Sequence, residues 1–294
     1  MLRLVAGNDT CPLPQHGHMP ISDPVSYYDE HDQYEWKRLT SSLHGRLEWE
    51  GSIAQLDAHL PSTGHVLDAG GGAGRYTVWL AERGYDVTLI DPSKGQRRIA
   101  QEKIAERSLE DAVTIRNGDI RDLDSPRGRF DATLCLGGPL SHVLDADERE
   151  TAVNELARVT APNAPVFVSV LGRLNLLSLL LITSEYLDLL PELAETGDYD
   201  RGVLGDRDSD FTETHFFRVK EFEAMLERGG LTVETLVGLE GLASLFAAGR
   251  LRETAEDLSE EQCEWIGKLV ENQREDPTIV DLSAHLLAIC RGSE

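Results

Sequence analysis

His65-Val66-Leu67-Asp68-Ala69-Gly70-Gly71-Gly72-Ala73-Gly74-Arg75-Tyr76-Thr77-Val78-Trp79-Leu80 joins a short apolar run ending in an acid to a glycine cluster and then to residues at helical spacing. The order predicts a strand, a tight turn and a helix. Glycines at alternate positions, Gly70, Gly72 and Gly74, allow positive φ and leave no Cβ between backbone and ligand. The helix start presents free N–H groups and the positive end of its dipole to a carboxylate or phosphate. A second apolar run, Asp86-Val87-Thr88-Leu89-Ile90, closes on Asp91, 21 positions beyond Gly70. A carboxylate there accepts the two hydroxyls of a ribose. Because Pro92-Ser93 follow, Asp91 also fits a helix N-cap.

Working outward, apolar runs alternate with helical spacing. Strands are expected at Val66-Leu67, Val87–Ile90, Val113–Ile115, Asp131–Leu136 and Pro165–Val170, with helices at Arg75–Arg83, Gln96–Arg107 and Asp147–Val159. Such alternation predicts right-handed βαβ crossovers and a mostly parallel sheet, with ligands at the carboxyl ends of its strands. Before this core, residues 1–24 carry Pro12, Pro14, Pro20 and Pro24 and no periodicity, which reads as a flexible arm. Val25–Leu60 has helical spacing and groups Tyr27, Tyr28, Tyr34 and Trp36. After the core, Leu174–Leu193 reads as an apolar helix pair broken by Pro191, and Glu195–Asp210 as an acidic loop. Thr212–Arg218 is a short extended segment, Val219–Arg228 a helix and Leu231–Leu239 a sixth strand. Leu242–Arg274 is helical and charged, and Ala284–Cys290 is the last strand.

The run from Asp68 to Gly74, Asp91, Gly118-Asp119-Ile120 and Phe130-Asp131-Ala132-Thr133-Leu134-Cys135-Leu136 together resemble the ordered motifs of the class I S-adenosylmethionine-dependent methyltransferases. The resemblance covers about residues 60–240 and the last strand. It implies an α/β, Rossmann-like seven-stranded sheet, mostly parallel with an antiparallel last strand, flanked by helices and fitted with a helical lid and insertions. The domain division it implies is an arm and lid at 1–60 and the methyltransferase domain at 61–294, with a cap insertion at 172–214 and a helical insertion at 241–283. S-adenosylmethionine is the implied cofactor. Gly70, Gly72 and Gly74 would lie against its methionine portion and Asp68 near the amino group. Asp91 would hold the ribose, Asp119 and Ile120 would flank adenine, and Leu136 with Gly137 would line the sulfonium. A nicotinamide-dependent dehydrogenase shares the glycine turn and the acid. Three features count against it: Asp68 precedes the turn, Gly118-Asp119-Ile120 follows the third strand, and the chain ends as strand, helices, strand. A cofactor-binding regulatory protein without turnover is the other alternative.

Leu136-Gly137-Gly138-Pro139-Leu140-Ser141-His142 follows strand four and lacks the Asn- or Asp-Pro-Pro-aromatic motif common in nucleic-acid and protein amino methyltransferases. A small-molecule acceptor is therefore expected. Three residues are catalytic candidates. His142 is a base or a packing residue. Arg173 is a fork for an acceptor carboxylate or an ion-pair partner. His215 faces the pocket or packs among aromatics. Tyr28 is the candidate lid residue over the sulfonium, since aromatic faces suit cations, whereas Trp36 is expected to pack on the core. The apolar Leu174–Leu193 segment is either an acceptor pocket or a homodimer face.

A formal net charge of -24 argues against nucleic acid as a partner. Only five of the 28 basic residues are Lys, a bias that resembles proteins of salt-loving microbes and predicts a halophilic source. No apolar run reaches membrane-spanning length, so no membrane partner is expected. The N-terminus has no secretory pattern. The four cysteines are scattered without a CxxC, so no metal site is expected and reduced thiols in the cytoplasm are.

Overall fold

Residues 23–30, 32–183, 187–188, 190–196, 203–204, 212–247 and 249–292 are described by the structure, a computed structural model. Residues 1–22 of the arm expected over 1–24, and most of the acidic loop, lie outside the described residues, and Pro24 already begins a helix. The strands are β1 (His65–Ala69), β2 (Asp86–Asp91), β3 (Val113–Asn117), β4 (Ala132–Cys135), β5 (Pro165–Leu171), β6 (Val203–Leu204), β7 (Thr214–His215), β8 (Leu231–Gly238) and β9 (His285–Gly292). The main sheet has seven strands in the order β3-β2-β1-β4-β5-β9-β8, and β6 pairs with β7 in a separate ribbon. The pairs β1–β2, β1–β4, β2–β3 and β4–β5 are parallel. β9 runs antiparallel between β5 and β8. The expected sheet and its antiparallel last strand are present.

Side-chain alternation splits the core into two layers, because successive strand residues point to opposite faces. On one face Leu67, Cys135, Val166, Val168 and Ala288 pack with the helices Ala146–Val159 and Val219–Arg228. On the other Val66, Leu134, Phe167, Leu287 and Ile289 pack with the helix after the glycine turn. Both faces are covered, so the central strands read as continuous apolar runs. The helices are α1 (Pro24–Glu30), α2 (Asp32–Arg38), α3 (Leu43–His59), α4 (Arg75–Ala81), α5 (Lys94–Ala105), α6 (Ala146–Val159), α7 (Arg173–Ile182), α8 (Leu190–Thr196), α9 (Val219–Arg228), α10 (Gly249–Glu256), α11 (Glu260–Glu271) and α12 (Pro277–Leu282).

The structure divides two of the helical readings into separate elements and corrects a third. Val25–Leu60 is α1, α2 and α3 rather than one pattern; Ser42 caps α3 by accepting from Gly45 N, which turns the chain there. Pro191 does not break a helix pair. It lies in the first turn of α8, where a missing N–H costs nothing. Leu242–Arg274 is a 3₁₀ turn at Gly241–Ala247 followed by α10 and α11, the latter opened by a capping box of Ser259 and Gln262. Trp36 does pack on the core, beside the cluster of Val78, Leu89, Ala100 and Ile104, with the Arg75 guanidinium 4.7 Å above its ring.

At the carboxyl end of β5 the chain meets the turn that leads into β9. Gly172 N donates to Ala284 O at 2.8 Å, and a Cβ on Gly172 would overlap Ser283 O. Gly172→Ala is expected to cost about 1–3 kcal/mol through backbone displacement, seen as a melting temperature several degrees lower. An unchanged melting curve would contradict this abutment.

Candidate active site

The glycine turn connects β1 to α4 at the carboxyl edge of the sheet. Gly70 (φ 72°) and Gly72 (φ 53°) take left-handed conformations that other residues enter at a cost. The three predicted glycines have different surroundings. A Cβ at Gly70 would stand 2.6 Å from Pro139 Cγ, so that side is filled by the loop after β4. At Gly74 it would stand 3.0 Å from Ala100 Cβ, so this glycine lets α4 approach α5. At Gly72 only Gln96 Oε1, at 3.7 Å, comes within contact. That oxygen is buried and without a hydrogen-bond partner, so the open side of Gly72 faces an unused acceptor.

Two buried acids flank this opening. Asp68, 1% exposed, accepts from Thr77 Oγ1 at 2.6 Å. Asp91 accepts from Gly72 N through Oδ2 at 2.9 Å and from Ser93 N through Oδ1 at 2.8 Å. The N-cap of α5 is Ser93, whose hydroxyl accepts from Gln96 N, so Asp91 is left to hold the turn. Burial pushes the Asp68 carboxyl up to about 6, against the hydrogen bond from Thr77 that lowers it. Burial likewise raises Asp91 to about 6, opposed by the two backbone N–H groups.

The N-terminal helix α1 closes over the turn. Tyr28 OH and His142 Nε2 are 2.9 Å apart, across 114 positions of sequence, with their rings edge to face. The Tyr28 carbonyl accepts from Gln96 Nε2, and Asp29 Oδ1 accepts from Ser93 Oγ at 2.5 Å and Gly95 N at 2.7 Å. Burial drives the Tyr28 phenol well above its ordinary value and lowers the His142 imidazole to about 4. His142 is therefore neutral at pH 7.

Beyond the turn, Ile120 is buried in the core, and Asp119 is tied by Arg121, which also bonds Glu148. Leu136 is buried, and Gly137 N donates to Ser169 Oγ at 2.8 Å. The Arg38 guanidinium stands 3.5 Å from where a Gly137 Cβ would be, held by Glu35 and by buried Glu48. Arg173 and His215 meet at one acid. Arg173 donates to Phe216 O and to Glu221 Oε2 at 2.6 Å, and His215 Nε2 lies 2.5 Å from Glu221 Oε1 and edge-on to Phe217. Tyr28, His142, Asp68, Asp91, Gly72 and Gly137 thus gather around the turn, while Arg173 and His215 brace β7 against α9. The sequence reading missed Asp29, Gln96, Arg38 and Glu221. Asp29 adjoins the Tyr28 it singled out, and Gln96 is the third residue after the Ser93 cap; Arg38 and Glu221 carried no local signal.

Against known proteins, a methyltransferase-domain family model matches residues 66–163. The ubiquinone biosynthesis O-methyltransferase of Chromobacterium violaceum is 33% identical over 190 residues, 63% of this chain and 72% of that protein. The corresponding protein of Alkalilimnicola ehrlichii is 38% identical over 131 residues, 43% of this chain and 50% of that one, so the chain spans about half the length of this relative. An S-adenosylmethionine-dependent methyltransferase structure from Methanosarcina mazei superposes with a TM-score of 0.55 at 18% identity, over 81% of this chain and 97% of that one, a likeness of fold.

Asp68 makes stability pH-dependent in a stated direction. Its folded pKa lies above the unfolded value, so between about pH 4 and 6 the native state binds the extra proton and stability falls as pH rises. Asp68→Asn removes this slope. Relative to wild type, the variant is expected to gain roughly 2–3 kcal/mol between pH 4 and pH 7 in urea unfolding. Parallel stability curves would show that Asp68 is not destabilised by its burial.

Proposed function

This chain belongs to the class I S-adenosylmethionine-dependent methyltransferases, and on that premise we propose that it methylates a small-molecule acceptor held beneath the α1 lid. The observation that carries the reading is the opening at Gly72, whose N–H is held by Asp91 and whose one near neighbour, Gln96, is bonded to the Tyr28 carbonyl of the helix that also reaches His142. A lid bonded this closely to the loop after β4 suits a small acceptor better than a duplex. The net charge of -24 repels a phosphate backbone. Relatives named for ubiquinone biosynthesis and for glycine and sarcosine N-methylation support the same class.

The turn fits the cofactor: Gly72 lacks the Cβ that would fill its cradle, and Gln96 Oε1 beside it awaits a donor. S-adenosylmethionine supplies a methyl group on a sulfonium, transferred by in-line displacement with a neutral leaving group. Asp68 would accept from the cofactor's amino group, and Asp91 would hold the ribose hydroxyls on lone pairs not used by Gly72 and Ser93. Ile120 and Asp119 would flank adenine and Leu136 with Gly137 would line the sulfonium, while Gly70 and Gly74 shape the turn. Orientation supplies most of the acceleration in such a transfer. Tyr28 Oη takes the acceptor's proton while passing its own to neutral His142 Nε2, as the new bond makes the acceptor's proton strongly acidic and so within reach of a weak base. Arg173 and His215, joined through Glu221, hold the acceptor-side wall. The acidic, lysine-poor surface is taken as an adaptation to salt.

Calorimetry is expected to show binding of S-adenosylhomocysteine and none of NAD, with Asp91→Ala at least tenfold weaker. Absent binding at millimolar ligand removes the proposed site, and an unchanged Asp91→Ala affinity removes the ribose role. A labelled-methyl screen of small-metabolite extracts, run in low and in molar KCl, is expected to give a labelled small product with more turnover in salt. Label found only in nucleic acid or protein overturns the acceptor class, and activity highest at low salt overturns the halophilic reading. His142→Ala is expected to lower kcat about 100-fold with S-adenosylhomocysteine affinity within about twofold of wild type. Unchanged kcat would take the proton from some other group.

A further inference from the structure

A second cluster of chemically capable side chains lies at the same edge of the sheet, on the far side of Arg38. His44 and Glu48 occupy positions i and i+4 of α3 and so share one helix face. Glu240 follows β8, and His285 opens β9. Glu48 and Glu240 are fully buried and His285 nearly so. His285 Nδ1 lies 2.5 Å from Glu240 Oε1 and 3.7 Å from Glu48 Oε2, and His44 Nε2 is 3.8 Å from Glu240 Oε1. One ligand atom from each of His44, Glu240 and His285 falls within 4.8 Å of the others.

We infer that His44 Nε2, Glu240 Oε1 and His285 Nδ1 form a binding site for a borderline divalent transition ion of the zinc class, with Glu48 beside it as a fourth donor. Four observations carry this. His44 Nε2 is buried with no hydrogen-bond partner and stands toward Glu240, as a lone pair awaiting a cation does. Bonds of about 2.1 Å in a tetrahedron set neighbouring ligand atoms about 3.4 Å apart, and the present separations of 2.5 Å and 3.8 Å straddle that value. Glu240 is already oriented: its Oε2 accepts from Ser283 Oγ at 3.0 Å and from His285 N at 2.9 Å, while Oε1 is paired with His285 Nδ1 at 2.5 Å, so that an ion enters in place of the proton those two atoms share and releases it to solvent. Finally, the negative charge is in excess. Arg38 is engaged by Glu35 and Glu48, and Arg274 faces Glu271 and Glu50 as well as Glu240. Two imidazoles with a carboxylate suit zinc, cobalt, nickel or iron and not magnesium or calcium, which take oxygen. An ion here joins the lid helix α3 to β8 and β9 and fixes Glu48, which in turn holds Arg38 against Gly137.

The test uses the full chain without an affinity tag, freed of metal by chelator. Titration with Co2+ is expected to saturate at one ion per chain with visible absorption of a low-coordinate site. Zn2+ is expected to displace it and to raise the melting temperature, while Mg2+ does neither. His44→Gln alters a side chain that is 18% exposed, leaves the Glu240–His285 contact in place, and is expected to weaken Zn2+ binding at least tenfold. Either no saturable Zn2+ or Co2+ binding by the wild type at millimolar metal, or equal binding by wild type and His44→Gln, overturns the site. The wild-type titration decides even where the variant fails to fold.

Discussion

Asp91 joins everything that the site requires. One carboxylate oxygen receives the Gly72 N–H and so fixes the glycine turn; the other receives the Ser93 N–H and so fixes the start of α5. The Ser93 hydroxyl caps α5 and donates to Asp29, and Gln96, one turn on, holds the Tyr28 carbonyl. Tyr28 in turn reaches His142 after β4. The glycine turn, the end of β2, helix α1 and the loop after β4 are therefore linked through a single series of short hydrogen bonds. Parallel pairing of β1 with β2 and β4 makes this possible, because it brings three carboxyl ends to one edge of the sheet.

The series has an energetic consequence. Asp68 and Asp91 are both buried, and burial raises both carboxyls toward neutrality. Neither has a cationic side chain bonded to it; their partners are a hydroxyl and backbone amides. In the proposed reading these two carboxylates are the places where a ligand's ammonium group and hydroxyl donors would arrive, since there the charge is least well solvated. The empty acceptor Gln96 Oε1 belongs to the same preparation. Away from the turn the solution differs. Glu221 is bonded by both Arg173 and His215, and Glu48 by Arg38, so those acids hold positions in the wall.

Much of this was legible in the chain. The alternation of apolar runs and helical spacing gave the sheet, because strands covered on both faces must be continuously apolar. The glycine cluster and its two acids were legible because one βαβ unit brings them together within a few dozen residues. Tyr28 and His142 were each picked out, but for separate reasons, and nothing in the sequence indicates that they touch. The glycines were read as equivalent, and the fold separates them: Gly72 faces open space, Gly70 faces Pro139 and Gly74 faces Ala100. The pairing of His44 with Glu240 and His285 is beyond any spacing rule, since α3 meets β8 and β9 only after the whole sheet has formed.

What the sequence by itself determined is therefore local: strand, turn and helix around Gly70 to Gly74, the acids at the two strand ends, and the alternation of strands with helices that predicts a mostly parallel sheet. These follow from side-chain periodicity and backbone freedom, which act over a few residues. The tertiary structure decided which groups share a hydrogen bond across long stretches of chain. Tyr28 on His142, Arg173 and His215 on Glu221, and His285 on Glu240 are outcomes of packing, set by where burial leaves a polar group in need of a partner.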